Sequence, residues 1–221
     1  MRAYSTCLLL LLAALPAWAQ TDNPLFVRPW VDLEPVVRIE PGEYPITAEK
    51  AARAALEEAR VLFSGMVYGW TFDYTPANST RSVAESFTLI PIAQIPWGSP
   101  RLRVVETQTE EERFWARASY SMDDSETARR SSWESGTALL SEGAGSADVM
   151  KGPQAKGLAF QDAVRDAIRI ALHGTYVDAP RRIIGDVVLW EDPQSTVRSG
   201  MYRTIATVKI MIREVVPYRI F

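Results

Sequence analysis

Acid-base and nucleophilic catalysis draw on histidine, cysteine, activated serine or lysine, and paired carboxylates, and this chain is poor in the first two. It carries one histidine, His173, and one cysteine, Cys7. No G-x-S-x-G, S-x-x-K or H-E-x-x-H run occurs. His173 stands before Gly174 at the end of a helical pattern. An imidazole there caps last-turn carbonyls and meets the negative end of the helix dipole, which is a structural role. Carboxylates are the remaining route, since glycoside cleavage can run on two of them. Asp73, Glu85, Glu106, Asp123 and Asp124 lie near predicted strands, but in no recognisable pattern. Glu110-Glu111-Glu112 and Asp123-Asp124 read as solvated turn residues. Asp162 and Asp166 are one helical turn apart and would share a face that a metal could use. Arg165 and Arg169 sit beside them, and ion pairs within the helix account for the set. The expectation is a protein that is not an enzyme, with no catalytic residue, cofactor or metal.

Aromatic side chains are the more distinctive feature. From Met66 the pattern alternates, with Met66, Tyr68, Trp70, Phe72 and Tyr74 on one face of a predicted strand. Such a row fills the layer between a sheet and a helix. On an exposed strand it would instead stack on sugar rings or dock a partner. Trp97, in the proline-flanked turn 96–100, and Trp115 join Tyr68, Trp70 and Tyr74 as the candidate contact surface.

Residues 20–45 are proline-rich and read as an extended arm with at most edge-strand character. Thr47 offers an N-cap, and Ala52, Ala55, Leu56, Ala59, Leu62 and Phe63 recur at helical spacing until Ser64-Gly65, so a helix is predicted over 47–63. Strands are predicted at 66–75, near 86–92, and as a hairpin of 101–107 with 113–121 whose tip is the three glutamates. Residues 123–156 shift toward Ser, Gly, Ala, Asp and Glu and read as a flexible linker, least structured at Gly143-Ala144-Gly145-Ser146, with a short helix near 125–134. A second amphipathic helix begins near Gln154, with strands at 182–191 and 201–214 after it. Residues 46–122 and 157–221 thus echo each other as helix-plus-strands halves. The fold class is α+β, amphipathic helices laid on antiparallel sheet.

The N-terminus has Arg2, an apolar run from Leu8 to Leu15, and Ala17-Trp18-Ala19 as a small-x-small site. Residues 1–19 therefore read as an export signal. The run is about half the ~20 residues of a spanning helix, and no later segment comes close to that length, because charges interrupt every hydrophobic stretch. Cleavage would leave a cysteine-free chain without disulfides, which fits a bacterial periplasm. The formal charge of −3 becomes −4 once Arg2 is removed, a mild acidity that argues against nucleic acid.

The run from Gln154 to Leu172, QAKGLAFQDAVRDAIRIAL, resembles the opening helix of a small envelope domain found in flagellar ring-assembly proteins of the H-ring type and in related outer-membrane lipoproteins. The resemblance covers the second half only, and the lipidated cysteine of the lipoprotein members is missing here. It implies a structural or assembly component of the envelope and carries over no catalytic residue. Three readings of function follow: an envelope protein acting by protein-protein contact, a glycan or peptidoglycan binding module, and a carboxylate hydrolase.

Overall fold

The computed structural model describes residues 24–37, 44–134, 136–175 and 180–218. The export signal read over 1–19, with Cys7, lies outside them. Two antiparallel sheets pack with two long helices, one of which touches both sheets.

The first sheet is built on β6 (Arg113–Tyr120). β1 (Leu25–Val27) and β2 (Trp30–Asp32) pair with one edge of β6, and β5 (Leu102–Glu110) pairs along the other. The proline-rich arm thus contributes two three-residue strands. The β5–β6 hairpin turns at Glu111 and Glu112, both at positive φ. The second sheet runs β4 (Ser86–Pro91), β3 (Trp70–Thr75), β8 (Arg182–Leu189), β10 (Met201–Val216), β7 (Leu139–Asp148). β9 (Gln194–Arg198) pairs with the start of β10.

Helix α1 (Ala48–Val67) starts at Thr47, whose hydroxyl accepts from the Lys50 N–H at 3.3 Å. Its alanines Ala51 and Ala55 let it lie close to Phe114 and Ala116 of β6. Further along, Ala59, Leu62, Phe63 and Met66 enter the main core with Trp70, Phe72 and Tyr74. The helix does not stop at Ser64-Gly65. Ser64 satisfies its hydroxyl inside the helix by donating to the Arg60 carbonyl at 2.6 Å. Gly65 is there for packing: an added Cβ would come within 2.1 Å of the Trp70 indole. Met66 therefore belongs to the helix and Tyr68 to its C-cap, and the strand begins at Trp70.

The stretch 123–156, expected to be a flexible linker, is ordered structure. Helix α2 (Asp124–Ser132) opens it with a capping box between Asp123 and Glu126, and β7 follows as an edge strand of the second sheet. Gly143 and Gly145 are the closest approach of that strand to α3 (Ala155–Thr175). A Cβ on Gly143 would lie 2.2 Å from the Ala167 N, and one on Gly145 2.2 Å from the Ala159 O. The small residues that read as disorder are the ones a strand needs to lie against a helix lined with Ala159, Ala163 and Ala167. Asp162 and Asp166 complete the contact by accepting from the Ser146 and Ala144 N–H groups at 3.2 and 3.1 Å. Four helical residues rise about 6 Å and two strand residues about 6.6 Å, so the two spacings match.

The helix-plus-strands halves do not form separate units. β3 from the first half pairs with β8 from the second, while β5 and β6 leave for the other sheet, and Val27, Phe63, Tyr120, Ile168, Val187 and Ile210 share one core. The α+β class, with helices on antiparallel sheet, holds. No helix among the described residues is long and apolar enough to cross a membrane.

Candidate functional site

Among the proposed contact aromatics, Trp70 and Tyr74 are core residues, 7% and 4% exposed. They face the main core, where Trp70 meets Phe160 of α3 at 5.8 Å and the C-terminal half of α1 packs. Tyr68 is half-buried, and its hydroxyl donates to Glu126 at 2.5 Å. Trp97 is exposed beside the Arg53 guanidinium. Trp115 is half-buried on β6, 5.9 Å from the ring of Trp30, and that neighbour marks the site.

The candidate carboxylates are dispersed into structural roles. Asp73 pairs with Arg182, and Glu85 accepts from Tyr74 and from both oxygens' worth of Arg169 donors. Asp123 caps α2, Asp124 lies in its first turn, and Glu106 is exposed on β5. Asp162 and Asp166 bond Arg165 and Arg169 besides the β7 backbone. No metal-binding group of His, Cys, Asp and Glu occurs among the described residues. His173 is exposed in the last turn of α3.

Two adjoining hollows of about 370 and 300 Å³ share Trp30, Glu58, Leu62, Lys156, Pro193 and Ser195, and so form one cleft. Its walls are one face of α1, the first turn of α3, the link from β8 to β9, and the start of the first sheet. Trp30 is 4% exposed and is packed between Trp115 and Tyr202. Its indole N–H donates to the Ser195 carbonyl at 3.2 Å. Two cations lie against the ring, Lys156 Nζ at 4.1 Å and the Arg113 guanidinium at 4.6 Å from its centre. Trp30 is thus a fixed wall and not a swinging gate.

Lys156 Nζ donates to the Trp30 carbonyl at 2.8 Å and to Glu58 at 2.9 Å. Burial holds its pKa below the usual lysine value, and the Glu58 charge opposes that shift. Asp32 accepts from the Tyr202 hydroxyl at 3.0 Å and from Arg113 at 3.2 Å. Burial, with the Asp32 charge behind it, raises the Tyr202 phenol. Glu57 is gripped by two Arg60 donors at 2.9 and 2.6 Å.

Asp192 differs. It accepts from the Arg28 backbone N–H at 2.9 Å, and its carboxyl is pushed up to about 6, first by burial and then by the Glu58 charge, against the Arg28 bond and Lys156. Its folded value lies above the unfolded one, so its contribution to stability is present at low pH and is lost as pH rises from about 4 through about 6. Asp192→Asn keeps a carbonyl for the Arg28 N–H and removes that loss. The variant is expected to be more stable than the parent by roughly 2 to 3 kcal/mol at pH 7.5 and no more stable at pH 4. Urea melts at the two pH values check this.

Asp32, Glu58, Asp192 and Tyr202 stand in no sequence pattern. The one available signal was Lys156, one of four lysines in a chain that otherwise uses arginine, placed at a helix start.

The chain belongs to an uncharacterised protein family whose model matches residues 16–218. An uncharacterised protein of Treponema pallidum (strain Nichols) is 27% identical over 210 residues, covering 94% of this chain and 82% of the relative. Neither comparison shows a flagellar H-ring type domain. No solved structure matches the chain.

Proposed function

We propose that the protein is an exported envelope protein of the bacterial periplasm that works by contact with a protein partner and not by catalysis, and that the Trp30 cleft is its recognition site. One observation carries this reading. The larger hollow is preformed and walled by Trp30, Val61, Leu62, Phe160 and Tyr202, while each ionisable side chain lining it is held by a partner within the chain. Asp32, Glu57, Glu58, Lys156 and Tyr202 are all occupied in this way. What the hollow offers a visitor is apolar burial and shape, the terms that dominate recognition. A catalytic hollow would keep a proton carrier or nucleophile free to meet its substrate, and the lining of the larger hollow keeps none free. The resemblance of residues 154–172 to envelope assembly domains supports a place in such a machine, the flagellum among them.

Val61 is exposed on the cleft wall. Val61→Arg puts a long charged side chain into the hollow, and a surface change of this kind usually alters stability by less than about 0.5 kcal/mol. Tagged protein is cross-linked in its native envelope and its partners identified. The variant is expected to lose at least about nine-tenths of the protein recovered with the parent, at an unchanged melting temperature. Equal recovery from variant and parent overturns the reading. Recovery of glycan strands in place of protein favours the glycan-binding reading, for which Trp115 beside Gln194, Ser195 and Thr196 is the supporting feature.

A further inference from the structure

We propose that the Trp115 side of the cleft receives a basic side chain of the protein partner, a lysine or an arginine, whose cationic head pairs with Asp192. This rests on the cleft being a protein-contact site and adds the chemistry of the residue that enters it.

The argument is a matching of charges. Four carboxylates line the cleft: Asp32, Glu57, Glu58 and Asp192. Three have a cation of their own, Arg113 for Asp32, Arg60 for Glu57 and Lys156 for Glu58. Asp192 makes no ion pair among the described residues. Its one side-chain bond among the described residues, from the Arg28 backbone N–H, uses Oδ2, and the residue lines the hollow of about 300 Å³.

Three charged groups come toward Asp192 from the packed elements. Glu58 of α1 repels its charge, and Lys156 of α3 attracts it less strongly than Glu58 repels. Arg28, on the β1–β2 link and lining the same hollow, gives its guanidinium to Gln108 at 3.5 Å and to the Trp115 ring at 5.1 Å and forms no ion pair with Asp192. A buried carboxylate without a cation is costly, and a cation brought by a partner removes the cost. The surroundings suit the rest of a long basic side chain. Leu62 and Pro193 line the same hollow as Asp192 and offer apolar surface to the aliphatic stem of that side chain. The chain already holds one ammonium in this manner on the neighbouring wall, where Lys156 sits between Glu58, a carbonyl and the Trp30 ring.

The test titrates Nα-acetyl-lysine amide and its neutral counterpart Nα-acetyl-norleucine amide into the mature protein at pH 7.5, read by NMR at the indole N–H signals of Trp30 and Trp115. The lysine probe is expected to bind at least about tenfold more tightly than the norleucine probe. That preference should fade as pH falls through about 6, where Asp192 takes up its proton. Asp192→Asn, shown folded by its melting curve, should bind both probes equally. Equal binding of the two probes by the parent, no shift with either, or an unchanged preference in Asp192→Asn overturns the proposal. The Val61→Arg experiment is independent: partner loss there without a lysine preference here leaves the contact site standing and removes the basic side chain.

Discussion

Replacing Glu126 with alanine is expected to lower the unfolding free energy by about 2 to 3 kcal/mol, the cost of leaving buried donors without their acceptor. Glu126 is 2% exposed at the third position of α2, yet it is the most heavily bonded carboxylate of the fold. Arg101 reaches it with two donors at 2.5 and 3.2 Å, and the Tyr68 and Tyr120 hydroxyls donate at 2.5 and 2.8 Å. The Asp123 N–H closes the set at 2.9 Å. Burial works to raise its pKa, but these donors together hold it below the usual glutamate value. Alanine would leave two phenols without their acceptor, and Arg101 with only the Asp123 carboxylate, at 3.0 Å, at the point where α2, α1 and the first sheet meet. Urea unfolding of the variant measures the loss, and a change under 1 kcal/mol would show that water or rearrangement replaces the carboxylate.

The second large effect is expected at Gly145. A valine there should cost about 3 kcal/mol, at the upper end for overpacking, because the obstacle is backbone. The added carbon would meet the Ala159 carbonyl and the Ala163 nitrogen, both at 2.2 Å. No rotamer relieves that, so β7 and α3 must separate. Gly157, in the first turn of the same helix, has nothing within 4 Å of its missing Cβ, and Gly157→Ala is expected to gain a few tenths to about 1 kcal/mol. Thermal melts of the two variants give opposite shifts if the strand–helix contact is as described. Two shifts of the same sign would contradict it.

These two positions show what the sequence made legible. Period and capping were enough for α1 at its start, the β5–β6 hairpin, α2, α3 and the two last long strands, because each is a local matter of spacing and end groups. Gly143 and Gly145 misled for a physical reason. Glycine enrichment signals freedom when nothing is packed on it and close approach when something is, and only the partner helix decides between them. Gly65 misled in the same way, since the indole that demands it comes from Trp70 after the turn. The cleft was the least legible feature. Asp32, Glu58, Lys156 and Tyr202 come from four separate elements and Asp192 from the β8–β9 link, and no spacing along the chain records that they meet. The aromatic stripe at Trp70, Phe72 and Tyr74 drew attention to a face that the two long helices cover, while Trp30, after Pro29 in the arm, gave no periodic signal at all.

The paired state of the cleft also bears on how the protein uses its stability. Asp192 is ionised at neutral pH at the expense of the fold, and its Asn variant is expected to be the more stable protein and the poorer binder. Stability given up at one residue that has no ion pair within the chain fits a site shaped for a visitor.

The most direct test of the central claim, that this cleft is the contact site, places a photo-activated cross-linking residue at Val61 in one protein and at Leu140, exposed on β7, in another, each illuminated in the native envelope. The account predicts a discrete protein adduct from position 61 and none from position 140. Adducts of equal yield from both positions, or an adduct from position 140 alone, would contradict it.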